Sequence, residues 1–204
     1  NNIDRQHMFE EVRRRFPHLS PWVESCYGQA SVLNFGSSTI RSSTGVQQGD
    51  PLGPLLFSLT EQPLVEKLQE VGGLVQNSWY LDDGILVGTP DALAQAWDII
   101  SSEGAKRGLF LSREKSLVYN AELEPANKDP LSRGVPRADL KGFKLLGAPL
   151  GTEEYETEIL EERLVSIRHL LDSLHLLDDP HMEFQLLKSL SLIHISEPTR
   201  PSVI

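Results

Sequence analysis

Two adjacent carboxylates, Asp82 and Asp83, constrain the fold of this chain more than any other feature of its sequence. Apolar β-forming residues stand on both sides of them, at positions 79–81 and 85–87, and Gly84 follows the pair directly. Such a pattern around Asp-Asp-Gly predicts a β-hairpin with a tight turn. The acid pair then has two interpretations. Asp-Gly is an ordinary turn dipeptide, or the hairpin tip holds two acids that bind a divalent metal.

Length and charge narrow the class of protein. A chain of 204 residues is typical of one domain and is long enough to bury a core. Its formal net charge of −10 argues against a simple nucleic-acid-binding module. The charge is compatible with a segment of a polymerase, because phosphate affinity depends on a local basic surface.

Cysteine content and hydropathy indicate the cellular compartment. The sequence has one cysteine, Cys26, so no internal disulfide forms, and we expect a small buried apolar residue rather than a nucleophile. No run of about 18 apolar residues is present, so no membrane span is expected. The chain opens at residues 1–4 without a basic and apolar leader, like the interior of a longer protein. We therefore expect an intracellular protein, nuclear or cytoplasmic.

The first half of the chain combines helical and hairpin patterns. We predict an amphipathic helix over 5–16, a short helix over 22–27, a hairpin over 31–42 and a longer helix over 51–71. The longer helix follows a loop rich in Gly and Pro, in which Asp50 fits an N-cap with Pro51 as the first helical residue. A bend is expected at Pro63.

The second half adds helices around short strands. We predict a helix that starts at Thr89-Pro90, short strands over 109–111 and 116–119, and a strand leading into a turn over 143–151. A helix over 153–177 and a last helix from about 181 follow. Residues 121–137 are polar with three prolines and indicate a surface loop. The second acid pair, Asp178-Asp179, has no hairpin pattern around it and fits a cap before Pro180.

The C-terminal residues differ in character from the rest. Residues 190–204 place β-branched residues and prolines in a helical pattern and resemble the translation of an adapter used in sequencing libraries. We therefore expect two regions: a globular domain over 1–189 and a non-native tail over 190–204.

Four segments, in order along the chain, resemble the motifs of one polymerase family. They are residues 45–54 (motif B), 80–83 (motif C), 108–116 (motif D) and the Leu-Gly turn at 146–151. With these motifs, residues 1–189 resemble the reverse transcriptase domain of a non-long-terminal-repeat (LINE-type) retrotransposon. Two positions depart from the family pattern, since Leu81 stands where Ala is usual and Ser112 where Asn is common.

The resemblance implies a fold and an activity. The fold is α+β: a polymerase palm-like antiparallel sheet that carries the acid pair, helices packed on one face, part of the fingers and the start of a thumb. The activity is RNA-directed DNA polymerisation, a nucleotidyl transfer with an RNA template, a DNA primer and dNTPs. Two Mg²⁺ or Mn²⁺ ions about 4 Å apart serve this reaction. The oligomeric state stays open.

The resemblance also assigns roles to individual residues. Asp82 and Asp83 would be the catalytic metal ligands, with Asp83 the weaker of the two, and carboxylate oxygens suit a hard ion such as Mg²⁺. Lys115 would neutralise, or donate a proton to, the leaving pyrophosphate, although an ordinary surface lysine explains it equally well. Gln48 and Gly49 would line the nucleotide and template site.

One expected motif is missing. Residues 1–5 resemble the end of motif A, whose Asp and whose aromatic residue that excludes a 2′-hydroxyl are expected upstream of Asn1. Asp4 is a candidate substitute, but its position favours capping of the first helix. We therefore expect this fragment to be inactive.

Other functions remain as alternatives. A non-catalytic binding or structural relic of a polymerase is compatible with the missing motif, and so is an RNA-directed RNA polymerase-like palm. An acid-pair hydrolase is disfavoured, because no nucleophile is found with a base beside it.

Overall fold

The computed structural model of the protein describes residues 2–120, 131 and 133–196, and it combines helices with small antiparallel sheets. This content agrees with the predicted α+β class. The chain divides into two compact units, one made of residues 1–116 and 128–136, the other of residues 117–127 and 137–204.

The first unit contains four α-helices and two hairpins within its described residues. They are α1 (Arg5–Arg15), α2 (Ser20–Tyr27), β1 (Ser31–Phe35), β2 (Ser38–Ser42), α3 (Gly53–Gln69), β3 (Leu74–Tyr80), β4 (Asp83–Gly88) and α4 (Pro90–Ile99). A π-helical segment, Ile100–Gly104, continues α4. Each hairpin is an antiparallel two-stranded sheet. The predicted order of helices and hairpins is thus confirmed as far as α4.

Side chains cap two of these helices at their first turns. Asp4 Oδ1 accepts a hydrogen bond from the His7 amide at 3.0 Å, which confirms the capping role predicted for Asp4. Thr89 Oγ1 accepts a hydrogen bond from the Ala92 amide at 3.3 Å, so α4 begins where the sequence predicts.

Helix α3 begins later than predicted. Its first residue is Gly53 rather than Pro51. Asp50 stabilises the turn before the helix instead, because its Oδ1 accepts a hydrogen bond from the amide two residues later at 2.9 Å. The Tyr27 hydroxyl donates to the other oxygen of the same carboxylate. The helix continues through Pro63, the position of the predicted bend.

Two hydrophobic clusters form the core of the first unit. The first cluster joins α1, α2 and α3, and its buried members are Ile3, Met8, Val12, Val23, Tyr27, Leu56, Phe57 and Leu59. The second joins the later part of α3 to α4 and the π-helical segment, and its buried members are Leu64, Leu68, Ala96 and Ile100. Helix α3 contributes to both clusters and is therefore the central helix of this unit.

A buried arginine, Arg5, joins segments that are distant in the sequence. Its side chain is 7% exposed. Arg5 Nε donates to the carbonyl oxygen of Gly45 at 3.0 Å, and Nη1 donates to the carbonyl oxygens of Ser42 and Tyr27 at 3.1 and 3.3 Å. The guanidinium also lies 5.2 Å from the centroid of the Tyr27 ring. These contacts hold together the end of β2, the end of α2 and the loop that begins at Gly45.

Two further predictions for the first unit are wrong. Cys26 is exposed rather than buried, because α2 turns Val23 and Tyr27 toward the core and Cys26 away from it. Residues 109–111 do not form a strand. The Leu109 amide donates instead to the carbonyl oxygen of Gly104 at 2.9 Å, so this backbone closes the end of the π-helical segment.

The second unit contains a hairpin and two long helices within its described residues. Its elements are β5 (Gly142–Leu145), β6 (Ala148–Gly151), α5 (Glu153–Leu174), a 3₁₀ turn (His175–Leu177) and α6 (Pro180–Ser196). The strand and turn predicted over 143–151 are confirmed, and a second strand, β6, follows the turn and completes a hairpin. Its two loop residues, Leu146 and Gly147, both have positive φ, at 47° and 82°, as two-residue hairpin loops commonly require.

Other predictions for the second unit have mixed outcomes. The strand predicted over 116–119 is wrong, because Val118 forms only an isolated parallel bridge with Arg137. The capping role of the second acid pair is confirmed, since Asp179 Oδ1 accepts hydrogen bonds from the amides of His181 and Met182 at 2.9 and 3.2 Å.

Two sequence predictions fall partly outside the described residues. Most of the loop predicted over 121–137 lies there, and so do residues 197–204 of the predicted tail. Helix α6 runs across the proposed domain boundary at Ser189, and that boundary remains a prediction. Of the helices in the described residues, none has both the length and the hydropathy that a membrane span requires.

Removal of the Arg5 guanidinium should destabilise the first unit strongly. Arg5→Ala leaves buried carbonyl oxygens without donors, and we expect the free energy of unfolding to fall by about 3 kcal/mol. Arg5→Lys should also be destabilising, because an ammonium group cannot reproduce the planar fork of donors. Urea-induced unfolding, followed by circular dichroism, measures both effects.

The control for this experiment is Arg13→Ala. Arg13 is exposed and pairs with Glu24 at 2.7 Å, so its loss should lower the free energy of unfolding far less than the loss of Arg5. Equal losses for Arg5→Ala and Arg13→Ala would contradict the role assigned to Arg5.

An ion-pair cluster around Glu103 joins the end of α3 to the π-helical segment. Glu103 Oε1 lies 2.9 Å from Lys106 Nζ and 3.1 Å from Lys67 Nζ, and Arg107 Nη1 lies 3.5 Å from Glu103 Oε2. Hydrogen bonds from Lys106 and Lys67 lower the pKa of Glu103 to about 2. The carboxylate therefore stabilises the fold while it is ionised.

Acid should remove this contribution. Because the pKa of Glu103 is lower in the folded state, its contribution is fully present above about pH 4.5, the unfolded value, and is lost as the pH falls toward 2. We expect Glu103→Gln to lower stability at pH 7 by about 1 kcal/mol and the difference from the unmodified chain to shrink on acidification. Urea unfolding across this pH range tests the prediction, with the exposed Glu70→Gln as control. A difference that is constant with pH would contradict it.

Candidate active site

Asp82 lies at the tip of the β3–β4 hairpin, in a loop of two residues. Tyr80 pairs with Asp83 across the hairpin, so Leu81 and Asp82 form the loop. The predicted hairpin is confirmed, but its turn precedes the Asp-Gly dipeptide, and Gly84 belongs to β4. Leu81 has φ of 53°, a left-handed conformation that glycine usually supplies at the first loop position.

Gly84 is required by the tryptophan on the opposite strand. Gly84 pairs with Trp79, and a Cβ atom at Gly84 would lie 2.7 Å from the Trp79 ring. Trp79 Nε1 donates to Asn77 Oδ1 at 2.7 Å, and Asn77 Nδ2 donates to the carbonyl oxygen of Val65 in α3 at 2.9 Å. The hairpin is therefore docked on α3 through a fixed pair of side chains. Trp79 packs against the second core cluster, whereas Tyr80 is exposed.

The side chain of Leu81 packs the hairpin tip against the core cluster that the loop beginning at Gly45 also contacts. Leu81 is half-buried and packs against the first core cluster, which Val46 and Leu52 of that loop also contact. Packing of this kind holds a residue in a strained backbone conformation. Asp82 and Asp83 are exposed, so the acid pair lies at the surface. The hairpin tip is held to the core by Leu81 instead.

A cavity of about 210 Å³ opens beside Asp82, wholly within the first unit. Residues from the N-terminal segment, α3, the hairpin and the segment after α4 line it: Asn2, Phe57, Glu61, Leu64, Trp79, Asp82, Ile100, Gly108, Leu109, Phe110 and Leu111. Its walls are mainly apolar, and its two carboxylates come from Glu61 and Asp82. Apolar walls around a few convergent polar groups are typical of ligand sites.

Glu61 is the site residue that the sequence analysis missed. It lies in α3 and is 3% exposed. Burial, together with the nearby negative charge of Asp82, raises the pKa of Glu61 to about 8. Within the described part of the chain, no donor forms a hydrogen bond with this carboxyl group. The sequence did contain a signal, because Glu61 is a charged residue on the apolar stripe of a helix.

The other residues assigned from the sequence lie outside the cavity lining. Gln48 and Gly49 are exposed in the loop before α3, where Gly49 has φ of 90°. Lys115 is exposed and lies in a turn. Its own backbone amide donates to the carbonyl oxygen of Ser112 at 3.3 Å. Asp83 begins β4. The structure thus brings Asp82 together with Glu61, and it does not place Gln48, Gly49, Lys115 or Asp83 in that lining.

The donors at the site suit a hard divalent cation but are few. Carboxylate oxygens are the ligands that Mg²⁺ and Mn²⁺ prefer, and Mg²⁺ commonly binds proteins through one or two carboxylates and retains waters. Among residues 2–120, 131 and 133–196, no group of three or more His, Cys, Asp or Glu side chains could hold a metal. The carboxylates of Glu61 and Asp82, which line the cavity, are donors of the kind that such a cation binds.

A family model described as reverse transcriptase (RNA-dependent DNA polymerase) matches residues 1–150. The chain belongs to the reverse transcriptase family. Reverse transcriptases are RNA-directed DNA polymerases, nucleotidyltransferases that bind an RNA template, a primer and dNTPs and generally use divalent metal ions. No curated protein matches the chain. The match to the reverse transcriptase family includes the hairpin with Asp82 and all of α3.

A methyl group at Gly84 should disturb the docking of the hairpin. Gly84→Ala forces the Trp79 ring away from its contacts with α3, and we expect the free energy of unfolding to fall by about 1–3 kcal/mol. Urea unfolding with tryptophan fluorescence measures the loss and the change around Trp79.

The matched control is Gly72→Ala. No atom lies within 4 Å of a Cβ built at Gly72, so its replacement should change stability by no more than about 0.5 kcal/mol. If the two substitutions had equal effects, contact with Trp79 would not be the reason for glycine at position 84.

Proposed function

We propose that this chain is part of the palm and fingers of a LINE-type retrotransposon reverse transcriptase, with Asp82 as a ligand of the catalytic metal. The observation that carries the proposal is the position of Asp82, at a rigid hairpin tip that opens onto a cavity within the family match. The proposed substrates are an RNA template, a DNA primer and dNTPs. The proposed compartment is intracellular, nuclear or cytoplasmic.

In the proposed site, individual residues of the chain have different roles. Asp82 binds the metal, and Asp83, one residue further in β4, supports it. Divalent ions in such sites activate the attacking hydroxyl and neutralise developing charge on the phosphates, and two ions serve the intact enzyme. Asn77 keeps the tip in place through its hydrogen bond to the Val65 carbonyl oxygen of α3, and Trp79 holds the Asn77 side chain by donating to its Oδ1. Positioning on a rigid element of this kind is what phosphoryl transfer requires of a protein.

Three further residues act on the substrate in this proposal. Gln48 and Gly49 contact nucleotide and template from an exposed loop, and the positive φ of Gly49 allows the backbone to approach the ligand closely. Lys115, on an exposed turn, is a cation that can reach the leaving pyrophosphate. The loop is held by Arg5 and Tyr27, since the Gln47 amide donates to the Tyr27 hydroxyl at 3.2 Å.

The complete polymerase site needs another carboxylate, which we assign to the segment that precedes Asn1 in the intact protein. Asn2 lines the cavity beside Asp82, so the N-terminal end of the described chain lies at the proposed site. In this proposal the 204-residue chain has no polymerase activity of its own. A non-catalytic polymerase relic is the second candidate. The observation that favours it is that no group of three metal-binding side chains is found among the described residues.

Primer extension separates these functions. We expect the 204-residue chain to give no template-directed synthesis with Mg²⁺ or Mn²⁺ on an RNA template. The same chain, extended upstream with the residues that its own gene encodes, should incorporate dNTPs. Asp82→Asn should abolish that synthesis, because it removes the metal ligand.

Three outcomes decide between the alternatives. Synthesis by the unextended chain would overturn the predicted inactivity. An extended chain that stays inactive would favour the relic. Incorporation of ribonucleotides in preference to dNTPs would favour an RNA-directed RNA polymerase.

A further inference from the structure

The carboxyl group of Glu61 lies on a face of α3 whose other residues are apolar. Phe57, Glu61, Leu64 and Leu68 follow each other at intervals of four, three and four residues, which is the spacing of one helix face. Phe57, Leu64 and Leu68 are buried members of the two core clusters. Glu61 is as buried as they are, at 3% exposed.

Among the residues that the structure describes, this buried carboxyl has no partner of its own. A buried polar group without a hydrogen bond costs free energy, and a buried charge costs much more. In the part of the chain that the structure describes, no hydrogen bond and no ion pair to Glu61 is found, and no Lys, Arg or His side chain lines the cavity that it faces. A leucine at this position would pack without that cost. Glu61 therefore points to a ligand that supplies positive charge.

The surroundings of Glu61 select the kind of ligand. The second carboxylate on the cavity belongs to Asp82, so any occupant meets two acids. The cavity volume of about 210 Å³ accommodates a cation with several waters, since each water occupies about 30 Å³ in the liquid. A hard divalent cation satisfies these conditions, because it prefers oxygen ligands and keeps part of its hydration shell.

We propose that Glu61 and Asp82 together bind one divalent cation, Mg²⁺ or Mn²⁺, in the cavity between α3 and the hairpin tip. The inference rests on the proposed function, in which Asp82 is a metal ligand, and it adds a ligand from α3. The site lies entirely within the first unit and needs neither nucleic acid nor dNTP. The cation would compensate the charge of Glu61 and fasten the hairpin tip to α3.

Mn²⁺ binding to the 204-residue chain tests the site directly. Titration with Mn²⁺ alone, followed by electron paramagnetic resonance of the free ion, should show one bound ion per chain. Glu61→Gln and Asp82→Asn should each weaken binding by at least about tenfold, because each removes one of two carboxylate ligands. The matched control is Glu70→Gln, an exposed acid just after α3, which should bind Mn²⁺ like the unmodified chain.

Thermal unfolding separates a metal ligand from a residue that is merely buried. In EDTA, Glu61→Gln should unfold at a higher temperature than the unmodified chain, because an amide replaces a buried acid. Addition of Mn²⁺ should raise the unfolding temperature of the unmodified chain, since the ion binds the folded state, and should leave that of Glu61→Gln nearly unchanged. A structural role alone predicts the first difference without the second.

The outcomes also distinguish this inference from the proposed function. If Mn²⁺ binding depends on Asp82 and not on Glu61, the new ligand is wrong and the proposed role of Asp82 stands. If Mn²⁺ binds equally to the unmodified chain and to all variants, both assignments fail. They also fail if Mn²⁺ binds to none of these proteins. Asp82 lies on an exposed loop, so Asp82→Asn gives a folded test protein even if Glu61→Gln unfolds.

Discussion

The buried guanidinium of Arg5 is the contact on which the arrangement of the first unit depends. Its donors reach carbonyl groups at the end of α2, at the end of β2 and at Gly45. Because a planar guanidinium presents several donors in fixed directions, one side chain can hold three segments in register. The loop that begins at Gly45 and the side chain of Leu81 pack against the same core cluster. The hairpin tip and the loop before α3 thus share one core cluster, although they are distant in the sequence.

Helix α3 fixes the position of the hairpin that carries Asp82 and Asp83. It receives the hydrogen bond of Asn77 through Val65 and carries Glu61 on the face toward the cavity. The distance between hairpin tip and helix is therefore set by side-chain contacts and not by loop length. Under the proposed function, in which Asp82 is a metal ligand, this two-residue loop docked on a buried helix supplies the rigidity that a functional site needs.

The sequence predicted the local features of this fold and missed those that depend on distant partners. The Asp4 and Thr89 caps, the first hairpin and the helix order follow from residue spacing and turn chemistry, which act over a few positions. The acceptors of Arg5 lie 22 to 40 residues away in the sequence, and no local sequence pattern predicts them. Glu61 is intermediate: its place on an apolar stripe was visible, but its proximity to Asp82 arises only when the hairpin packs on α3. The start of α3 was predicted wrongly for the same reason. The Asp50 carboxylate accepts a hydrogen bond from the distant Tyr27 hydroxyl as well as from the turn.

The β1–β2 hairpin has a consequence for the behaviour of the chain in solution. Neighbouring residues on a strand face opposite sides, yet Val32 and Leu33 are both exposed, as is Ile40 across from Leu33. The described residues provide no third strand for this sheet, so its outer backbone groups remain available for pairing. The net charge of −10 keeps copies of the chain apart at low ionic strength. Salt screens that repulsion, so edge-to-edge self-association should grow with ionic strength, and dilute buffer is the condition that keeps the protein dispersed.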